Sequence, residues 1–534
     1  MKAGEKMAQD ILLPPDPARV MEGLRDTGYS FNTAAADIID NSIAAKATKI
    51  DITLNLDSTG NITVNFADNG CGMNEEELEN AMRYGSNRRQ DPSSLGKFGL
   101  GLKTASTAFC RCLSVISRGD DNTIRKVQWD LDYIANTGEW TLRALTPTED
   151  EKELLEETCG EGTGTLVVWD KTDRLINSRG SVAKALKKTE AELEFHIALV
   201  YQRFLDKTDN RAANVEITLD GKSIEPWDPY CSDEENTTVL AQTSADVEIE
   251  DKHKNGTLFM RAVMIPRRDE FSSVAAADRA RVVNDMQGFY IYRENRLIHY
   301  GDWMGMFTKE PHGTLLRTEL SFNHELDDVF AIDIKKSRIL LNDDIFDYIR
   351  NQFMPAPRRA ADERYRKGTQ KQVKDASKTA HDAANRSIDE KAKRLEESKV
   401  EIKNKDTGEV EIKNQNGTFR HKITIHTEGD RNKCRVIPMD GLDGGVLWNP
   451  TITGDGKHAV ELNTQHPYYQ KIYYPVLSEN VMVTGMDALL WALSEAELST
   501  YSEETKDQYE DMRYLVSRML KKLIADLPEP DTEA

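Results

Sequence analysis

The spacing of apolar residues near the N-terminus predicts a helix followed by a strand. Across residues 33–45, apolar side chains such as Ala36, Ile39 and Ile43 recur every three or four positions, which is the spacing of one helix face. Residues 49–54 then alternate polar and apolar, which is the pattern of a half-buried strand. This part of the chain therefore begins with the alternation of helix and strand that is typical of an α/β domain.

The same alternation continues beyond the first strand. A second strand is expected over residues 61–66, and Asn74 can cap a helix over residues 75–82. After a glycine-rich loop the pattern predicts strands up to about Trp169, and then a helical stretch over residues 181–205.

A second mixed segment follows over residues 215–349, with a strand expected at residues 289–292. Pro355 and Pro357 mark its end. The succession predicts an α/β fold class, an α+β sandwich, in two tandem domains. Short strands and then helices are expected in a further small domain near the C-terminus.

The segment 358–399 differs from the rest in charge. It holds thirteen lysines and arginines against eight aspartates and glutamates, a local net charge of +5, and few large apolar residues. We expect a mostly solvated helical arm, which is either a plain charged linker or a surface that faces nucleic acid.

Composition restricts the class of protein. The 534 residues carry 70 lysines and arginines against 91 aspartates and glutamates, a formal net charge of −21 that opposes non-specific attraction to nucleic acid. No apolar run is long enough to span a bilayer, and no signal-peptide pattern is present. The six cysteines are scattered and form no zinc-type CxxC pair. We expect a cytoplasmic protein with no membrane partner, in which any DNA contact rests on a local basic surface.

Asp37 and Asn41 form the first candidate site. They are four positions apart, so on a helix both side chains project from the same face. An amide oxygen beside a carboxylate suits a magnesium ion and an attacking water molecule. A polar pair of this kind is also common on ordinary helix surfaces, so its meaning depends on the other motifs.

The second candidate site is the segment 68–73, which begins with Asp68. Gly70 and Gly72 lack a Cβ atom, so the backbone can pass close to a planar ligand. The Asp68 carboxylate can accept a hydrogen bond from an exocyclic amine. Taken alone, an Asp-Asn-Gly sequence is more often a turn.

The third motif is a glycine-rich loop, residues 94–106, that leads into a helix-like run. Its glycines at positions 96, 99 and 101 allow backbone N–H groups to point at phosphates, and the helix dipole favours the anion. The spacing fits neither a Walker A sequence nor a Rossmann fingerprint. Farther along, Thr165 ends a Gly-Thr-Gly-Thr segment and can place its hydroxyl beside Asp68.

In this order and spacing, the four segments resemble the N box, the two glycine boxes and the later Gly-Thr of the GHKL ATPases, over about residues 17–175. The resemblance implies a Bergerat-type fold with ATP and Mg²⁺ as cofactors. Asn41 would hold the metal, Asp68 would bind the adenine amine, and residues 96–103 would form the phosphate lid. The implied nucleotide-binding residues are Asn41, Ala45, Asp68, Gly70, Gly72, Met73, Gly96, Lys97, Phe98, Gly99, Leu100, Gly101, Lys103 and Thr165.

The chain departs from the family pattern at the implied general base. MutL, MORC and the related chaperones usually have glutamate four residues before the N-box asparagine, and this sequence has Asp37. The shorter side chain holds the carboxylate about one methylene farther from the water, so we expect slow hydrolysis.

Two later segments extend the resemblance to about residue 350. Residues 288–298 look like the second-domain strand pair of MORC proteins. Residues 333–339 look like the transducer segment whose lysine reaches the γ-phosphate in gyrase, MutL and MORC, and Lys336 fits that register better than Lys335. The loop sequence is closer to MORC than to gyrase. The implied domains are an ATPase domain at 1–175, a transducer at 176–355, the charged helical arm at 356–400 and a C-terminal dimerisation or partner-binding domain at 401–534.

The resemblance implies a homodimeric clamp gated by ATP, with DNA as its partner and the basic arm as a candidate contact surface. Bacterial proteins of this sort belong to repair, restriction or phage-defence settings. A protein chaperone with the same ATP site and a nucleotide-dependent scaffold with little hydrolysis remain open. A histidine kinase is disfavoured because no histidine precedes His196, and a MutL-type nuclease site near Gln465 lacks the necessary carboxylates.

Overall fold

The computed structural model describes residues 15–26, 28–85, 93–95, 101–176, 181–249, 254–327, 329–330, 343–396, 398–405, 407–423, 425–426, 434–500 and 502–527. The chain folds into two compact units. The N-terminal unit is Met1–Lys309 with Thr314–Arg358, and the C-terminal unit is Glu310–Gly313 with Arg359–Ala534. No helix within the described ranges is both long enough and apolar enough to cross a bilayer.

The N-terminal unit contains two mixed sheets and the helices that cover them. Its helices are α1 (Pro17–Arg25), α2 (Phe31–Ala44), α3 (Glu75–Met82), α4 (Gly101–Phe109), α5 (Leu131–Thr137), α6 (Glu149–Cys159), α7 (Val182–Val200), α8 (Gln202–Leu205), α9 (Val274–Ala280) and α10 (Asp343–Tyr348). Its strands are β1 (Lys49–Leu56), β2 (Ile62–Asp68), β3 (Cys110–Arg118), β4 (Ile124–Asp130), β5 (Arg143–Leu145), β6 (Gly164–Thr172), β7 (Glu216–Leu219), β8 (Lys222–Ser223), β9 (Thr238–Ile249), β10 (Lys254–Met264), β11 (Gly288–Arg293), β12 (Arg296–Asp302) and β13 (Leu316–Phe322).

The first sheet has the strand order β5-β4-β3-β6-β2-β1-β7-β8, and the second has the order β12-β11-β13-β10-β9. Neighbouring strands are antiparallel except for the parallel pairs β1 with β7 and β11 with β13. The first sheet therefore continues past residue 175 to Ser223. One hydrophobic cluster joins the two sheets, since it contains Ile39 and Phe66 from the first layer together with Tyr292 and Leu297 from the second.

The local patterns explain the first elements. Ser30 caps α2 by accepting a hydrogen bond from the Thr33 backbone. In β1 the side chains alternate between half-buried and buried, as the sequence pattern predicts. Asn74 and Glu77 form a reciprocal capping box at the start of α3. The predicted mixed α/β fold class is confirmed.

The C-terminal unit combines two small sheets with long helices. Its sheets have the orders β14-β15-β16 and β17-β19-β20-β18. The remaining helices are α11 (Pro355–Ala380), α12 (Asp382–Leu395), α13 (Asn480–Leu498) and α14 (Glu503–Leu523), and the strands are β14 (Lys399–Asn404), β15 (Glu409–Asn414), β16 (Gly417–Lys422), β17 (Ile425–His426), β18 (Val436–Met439), β19 (Trp448–Thr453) and β20 (His458–Asn463).

The basic segment is helical, as expected, but it is not a free linker. Val373 of α11 and Ala384, Ile388 and Ala392 of α12 are buried in the same core cluster as Trp448. One stripe of the two helices therefore belongs to the core of the C-terminal unit, while most of the basic side chains on the other faces are exposed.

The second sheet contains a buried carboxylate held by arginines. Glu319 of β13 accepts hydrogen bonds from Arg203 Nη2 at 2.5 Å and from Arg261 Nε at 3.0 Å. Burial alone would raise the pKa of Glu319, but Arg203 and Arg261 hold that pKa below its ordinary value of 4.5. The ionised carboxylate therefore stabilises the folded state.

The variant Glu319→Gln should lower the free energy of unfolding of the N-terminal unit by about 3 kcal/mol at pH 7, because it leaves Arg203 buried without its counter-charge. A carboxyl group whose pKa is lower in the folded than in the unfolded protein stabilises the fold at pH values above its unfolded-state pKa. This stabilisation is lost as the pH falls through its folded-state pKa. Urea unfolding should therefore show the difference from wild type shrinking as the pH falls below 4.5.

The control for this comparison is Glu325→Gln, which removes an exposed carboxylate from the loop after β13. It should change the free energy of unfolding by less than about 0.5 kcal/mol. A difference between wild type and Glu319→Gln that stays constant with pH would contradict the assignment.

Candidate functional site

Helix α2 carries the two residues of the first motif. Asp37 is buried, with 6% of its surface exposed, and Asn41 is half-buried one turn later. The phenol of Tyr29 donates a hydrogen bond to Asp37 Oδ2 at 3.0 Å. A Cβ atom added at Gly101 would lie 3.0 Å from the same oxygen, so the first residue of α4 packs against this carboxylate.

Asp68 lies at the end of β2, and its carboxylate is buried. The Ser42 hydroxyl donates to Oδ2 at 2.7 Å, and the Gly70 N–H donates to Oδ1 at 2.9 Å. The backbone of Thr165, its partner in the β2–β6 ladder, also hydrogen bonds to the carboxyl. Burial raises the pKa of Asp68 above its ordinary value of 3.8, although these hydrogen bonds oppose the rise.

The glycines beside Asp68 are required by close packing. A Cβ atom at Gly70 would lie 2.8 Å from the Cβ of Ala45, and one at Gly72 would lie 1.9 Å from the carbonyl oxygen of Arg118. Gly72 also has a φ of +62°, which side chains rarely tolerate. The backbone of this segment is therefore free of side-chain bulk where it passes α2 and β3.

Thr165 and Met73, which the resemblance also implies as nucleotide-binding residues, lie near this segment. The hydroxyl groups of Thr165 and Ser117 form a hydrogen bond with each other at 2.9 Å. The contact between Thr165 and Asp68 comes from the Thr165 backbone. Met73 is half-buried and packs against the main core cluster.

Lys103 of α4 is buried, and its ammonium donates to the Ala81 carbonyl at 2.9 Å. Ala81 lies in the last turn of α3, where the helix dipole favours a cation. Burial lowers the pKa of Lys103 to about 8. The expected phosphate contact of Lys103 remains a prediction, as do the roles of the residues that lie outside the described ranges: Gly96, Lys97, Phe98, Gly99, Leu100 and Lys336.

Asp40 and Ser42 belong to the first motif, but the sequence does not indicate the contacts through which they support the site. Asp40 lies between Asp37 and Asn41 in the chain, and its Oδ1 accepts hydrogen bonds from the Tyr201 hydroxyl and from Arg296 Nε, each at 2.8 Å. Ser42 is the donor to Asp68 described above. The partners of Asp40 come from positions more than 150 residues away, so no local pattern indicates them.

The described residues fit an adenine nucleotide with its magnesium ion. A carboxylate has about four lone-pair positions, and the Asp68 carboxylate accepts hydrogen bonds from the Ser42 hydroxyl and from the Gly70 N–H. A carboxylate is also the kind of acceptor that an exocyclic amine requires. Mg²⁺ typically uses one or two protein oxygens together with substrate phosphates and water, and the half-buried Asn41 would offer one such oxygen. Among the described residues no group of three or more histidine, cysteine, aspartate or glutamate side chains is arranged to hold a metal by itself.

Part of this chain is similar to known ATPases. Residues 29–165 match a family model described as histidine kinase-, DNA gyrase B-, and HSP90-like ATPase. The ATPase MORC2B of Mus musculus is 38% identical over 77 residues, which is 14% of this chain and 8% of the relative. The ATPase MORC2 of Homo sapiens is 26% identical over 132 residues, which is 22% of this chain and 13% of the relative.

The matched stretch thus spans 8% to 13% of the length of these relatives. A solved structure described as the N-terminal domain of a DNA repair protein aligns with 65% of this chain and 98% of that chain, at 16% identity and a TM-score of 0.41. The chain therefore contains a GHKL ATPase domain at residues 29–165, and part of the chain is similar to the MORC ATPases, which confirms the family resemblance.

Proposed function

We propose that this protein binds and hydrolyses ATP, and that ATP binding closes a homodimeric clamp on DNA. The observation that carries the proposal is the buried carboxylate of Asp68, which lies beside two glycines whose positions leave no room for a side chain. This arrangement suits a planar base with an exocyclic amine, and it belongs to a domain of an ATPase family.

Asp37 is the proposed general base. Its carboxylate lies on the same helix as Asn41, one turn away, and Tyr29 fixes its orientation through the 3.0 Å hydrogen bond. The base takes a proton from the attacking water, and Asn41 would hold Mg²⁺, which neutralises phosphate charge when bound. The shorter side chain of aspartate supports slow turnover.

The C-terminal unit is the proposed permanent dimer contact. Helix α13 exposes Val481, Met482 and Leu489 with 86%, 51% and 61% of their surfaces accessible. The other exposed residues of α13 whose surroundings are described are small: Gly485, Ala488, Ala492 and Ala496. A helix face with no charged side chain is typical of a surface that another protein covers. The small residues allow a second helix to approach closely.

The basic helices α11 and α12 are the proposed DNA contact. Their exposed faces carry many of the thirteen basic residues of the 358–399 segment, including Arg359, Arg366, Lys367 and Lys371. Lysines and arginines on one surface attract phosphates even when the whole molecule is acidic. Repair, restriction or phage defence in the cytoplasm is the setting we propose.

ATP turnover with and without duplex DNA, together with sizing in a non-hydrolysable ATP analogue, tests the proposal. We expect slow turnover that duplex DNA stimulates, and a change in size or shape with the analogue but not with ADP. Stimulation by unfolded protein in place of DNA would favour a chaperone. Tight ATP binding with no turnover under any condition would favour a scaffold.

The variant Asp68→Asn should weaken ATP binding roughly tenfold to a hundredfold, because an amide donor facing the donor of the base leaves an unpaired buried contact worth about 1–3 kcal/mol. Calorimetric titration with ATP measures the change. Asp120→Asn, in an exposed turn, is the matched control and should bind as wild type does. Equal ATP affinity in Asp68→Asn and the control would remove the adenine-binding assignment.

The variant Asp37→Asn should keep ATP affinity within about threefold and lose turnover, since the base acts on water and not on adenine. Asp37→Glu is its companion, because the longer side chain brings the carboxylate closer to the water and should raise kcat. The pair is measured by steady-state ATPase kinetics beside ATP titration. Normal turnover in Asp37→Asn would place the base elsewhere.

A further inference from the structure

The turn between β11 and β12 is held from several sides. Its two central residues, Glu294 and Asn295, have φ angles of +48° and +66°, as in a two-residue type I′ hairpin. The Glu294 carboxylate accepts hydrogen bonds from the backbone N–H of His324 at 2.9 Å. The Asn295 side chain accepts from Arg203 at 3.1 Å and donates to the Arg211 carbonyl at 2.7 Å. The turn is therefore a rigid support for the arginines on either side of it.

Arg296, the first residue after the turn, reaches helix α2. Its Nε donates to Asp40 Oδ1 at 2.8 Å, and both side chains are buried. The Tyr201 hydroxyl also donates to Asp40, and it lies 2.7 Å from the Ala36 carbonyl, one residue before Asp37. The pair thus holds α2 at the point between Asp37 and Asn41.

Arg293, the last residue before the turn, reaches the start of the glycine-rich loop. Its guanidinium donates to both carboxylate oxygens of Asp327, at 2.6 and 2.9 Å, and its Nη1 also donates to the Ser94 carbonyl at 3.3 Å. Ser94 lies two residues before Gly96, the first glycine of that loop. A guanidinium fixed by two bonds to one carboxylate holds its third contact in a defined place.

We propose that the turn Arg293–Arg296 of the second sheet is a positioning element of the nucleotide site, in which Arg296 sets the placement of α2 and Arg293 sets the entry to the glycine-rich loop. The inference rests on the proposed ATPase function. A small shift of this turn moves the base-bearing helix and the loop entry together, because both arginines belong to one rigid hairpin. The turn thus couples the second sheet to the site through the contacts with Asp40 and Ser94.

The test combines steady-state ATPase kinetics with hydrogen exchange of the nucleotide-free protein. The variants are Arg296→Gln, Arg296→Lys, Arg293→Gln and the double change Asp40→Asn with Arg296→Gln. The double change leaves no unpaired buried charge, so it remains informative if Arg296→Gln alone fails to fold. Arg261→Gln is the matched control, because it removes the contact of a half-buried arginine with the buried Glu319 of the same sheet, and this contact reaches neither α2 nor Ser94.

Arg296→Gln should lower kcat roughly tenfold or more with KM within about threefold, and Arg296→Lys should restore part of the loss. Arg293→Gln should instead raise KM by about threefold to tenfold, because Ser94, which it contacts, directly precedes the segment proposed to bind the phosphates. Amides of α2 should exchange faster in the Arg296 variants and in the double change, and those of residues 93–95 faster in Arg293→Gln. Arg261→Gln should show neither effect.

The inference is overturned if the folded variants show exchange in α2 and in residues 93–95 no faster than in Arg261→Gln. It is equally overturned if the changes in kcat and KM across the variants only follow their loss of thermal stability, as a merely structural role would predict. Absence of ATP binding and turnover in the wild type would refute the proposed function instead. Hydrogen exchange needs no nucleotide, so it still decides whether the turn positions α2.

Discussion

The buried ion pair between Asp40 and Arg296 is the constraint on which the arrangement of the N-terminal unit depends. Removing two charges from water is costly, and the structure offsets that cost with the Tyr201 hydroxyl and with good hydrogen-bond geometry. The pair joins residues 256 positions apart, one on α2 and one on β12. Because Asp37 and Asn41 are on the same helix as Asp40, the ion pair with the second sheet also holds these two side chains in place.

Local residue patterns predict much of the first layer. Three of its features depend only on neighbours within a few positions and can be recognised in a single sequence. They are the apolar spacing of α2, the alternation in β1 and the capping residue Asn74. The close packing beside Asp68 also follows from a local pattern. Its glycines stand next to the aspartate in the chain, and close packing leaves no room for a side chain at either of them.

The contacts that hold the site together are not predictable in the same way. Arg296 is one of many arginines, and nothing near it in the sequence indicates a buried aspartate as its partner. The packed stripe of the basic helices is missed for a different reason. It includes the small residues Ala384 and Ala392, whose weak hydrophobicity gives no clear helical periodicity beside so many charges.

The parallel pairing of β1 with β7 has a consequence for where a fragment containing this ATPase domain can end. The family match ends at residue 165, yet β7 begins at Glu216 and completes the hydrogen bonding of β1. Ile197 of α7 is buried in the same cluster. A fragment cut at the end of the match would leave β1 as an open edge strand, a recognised route to aggregation. A fragment that keeps β1 paired on both sides must therefore extend through β7, well beyond the end of the family match.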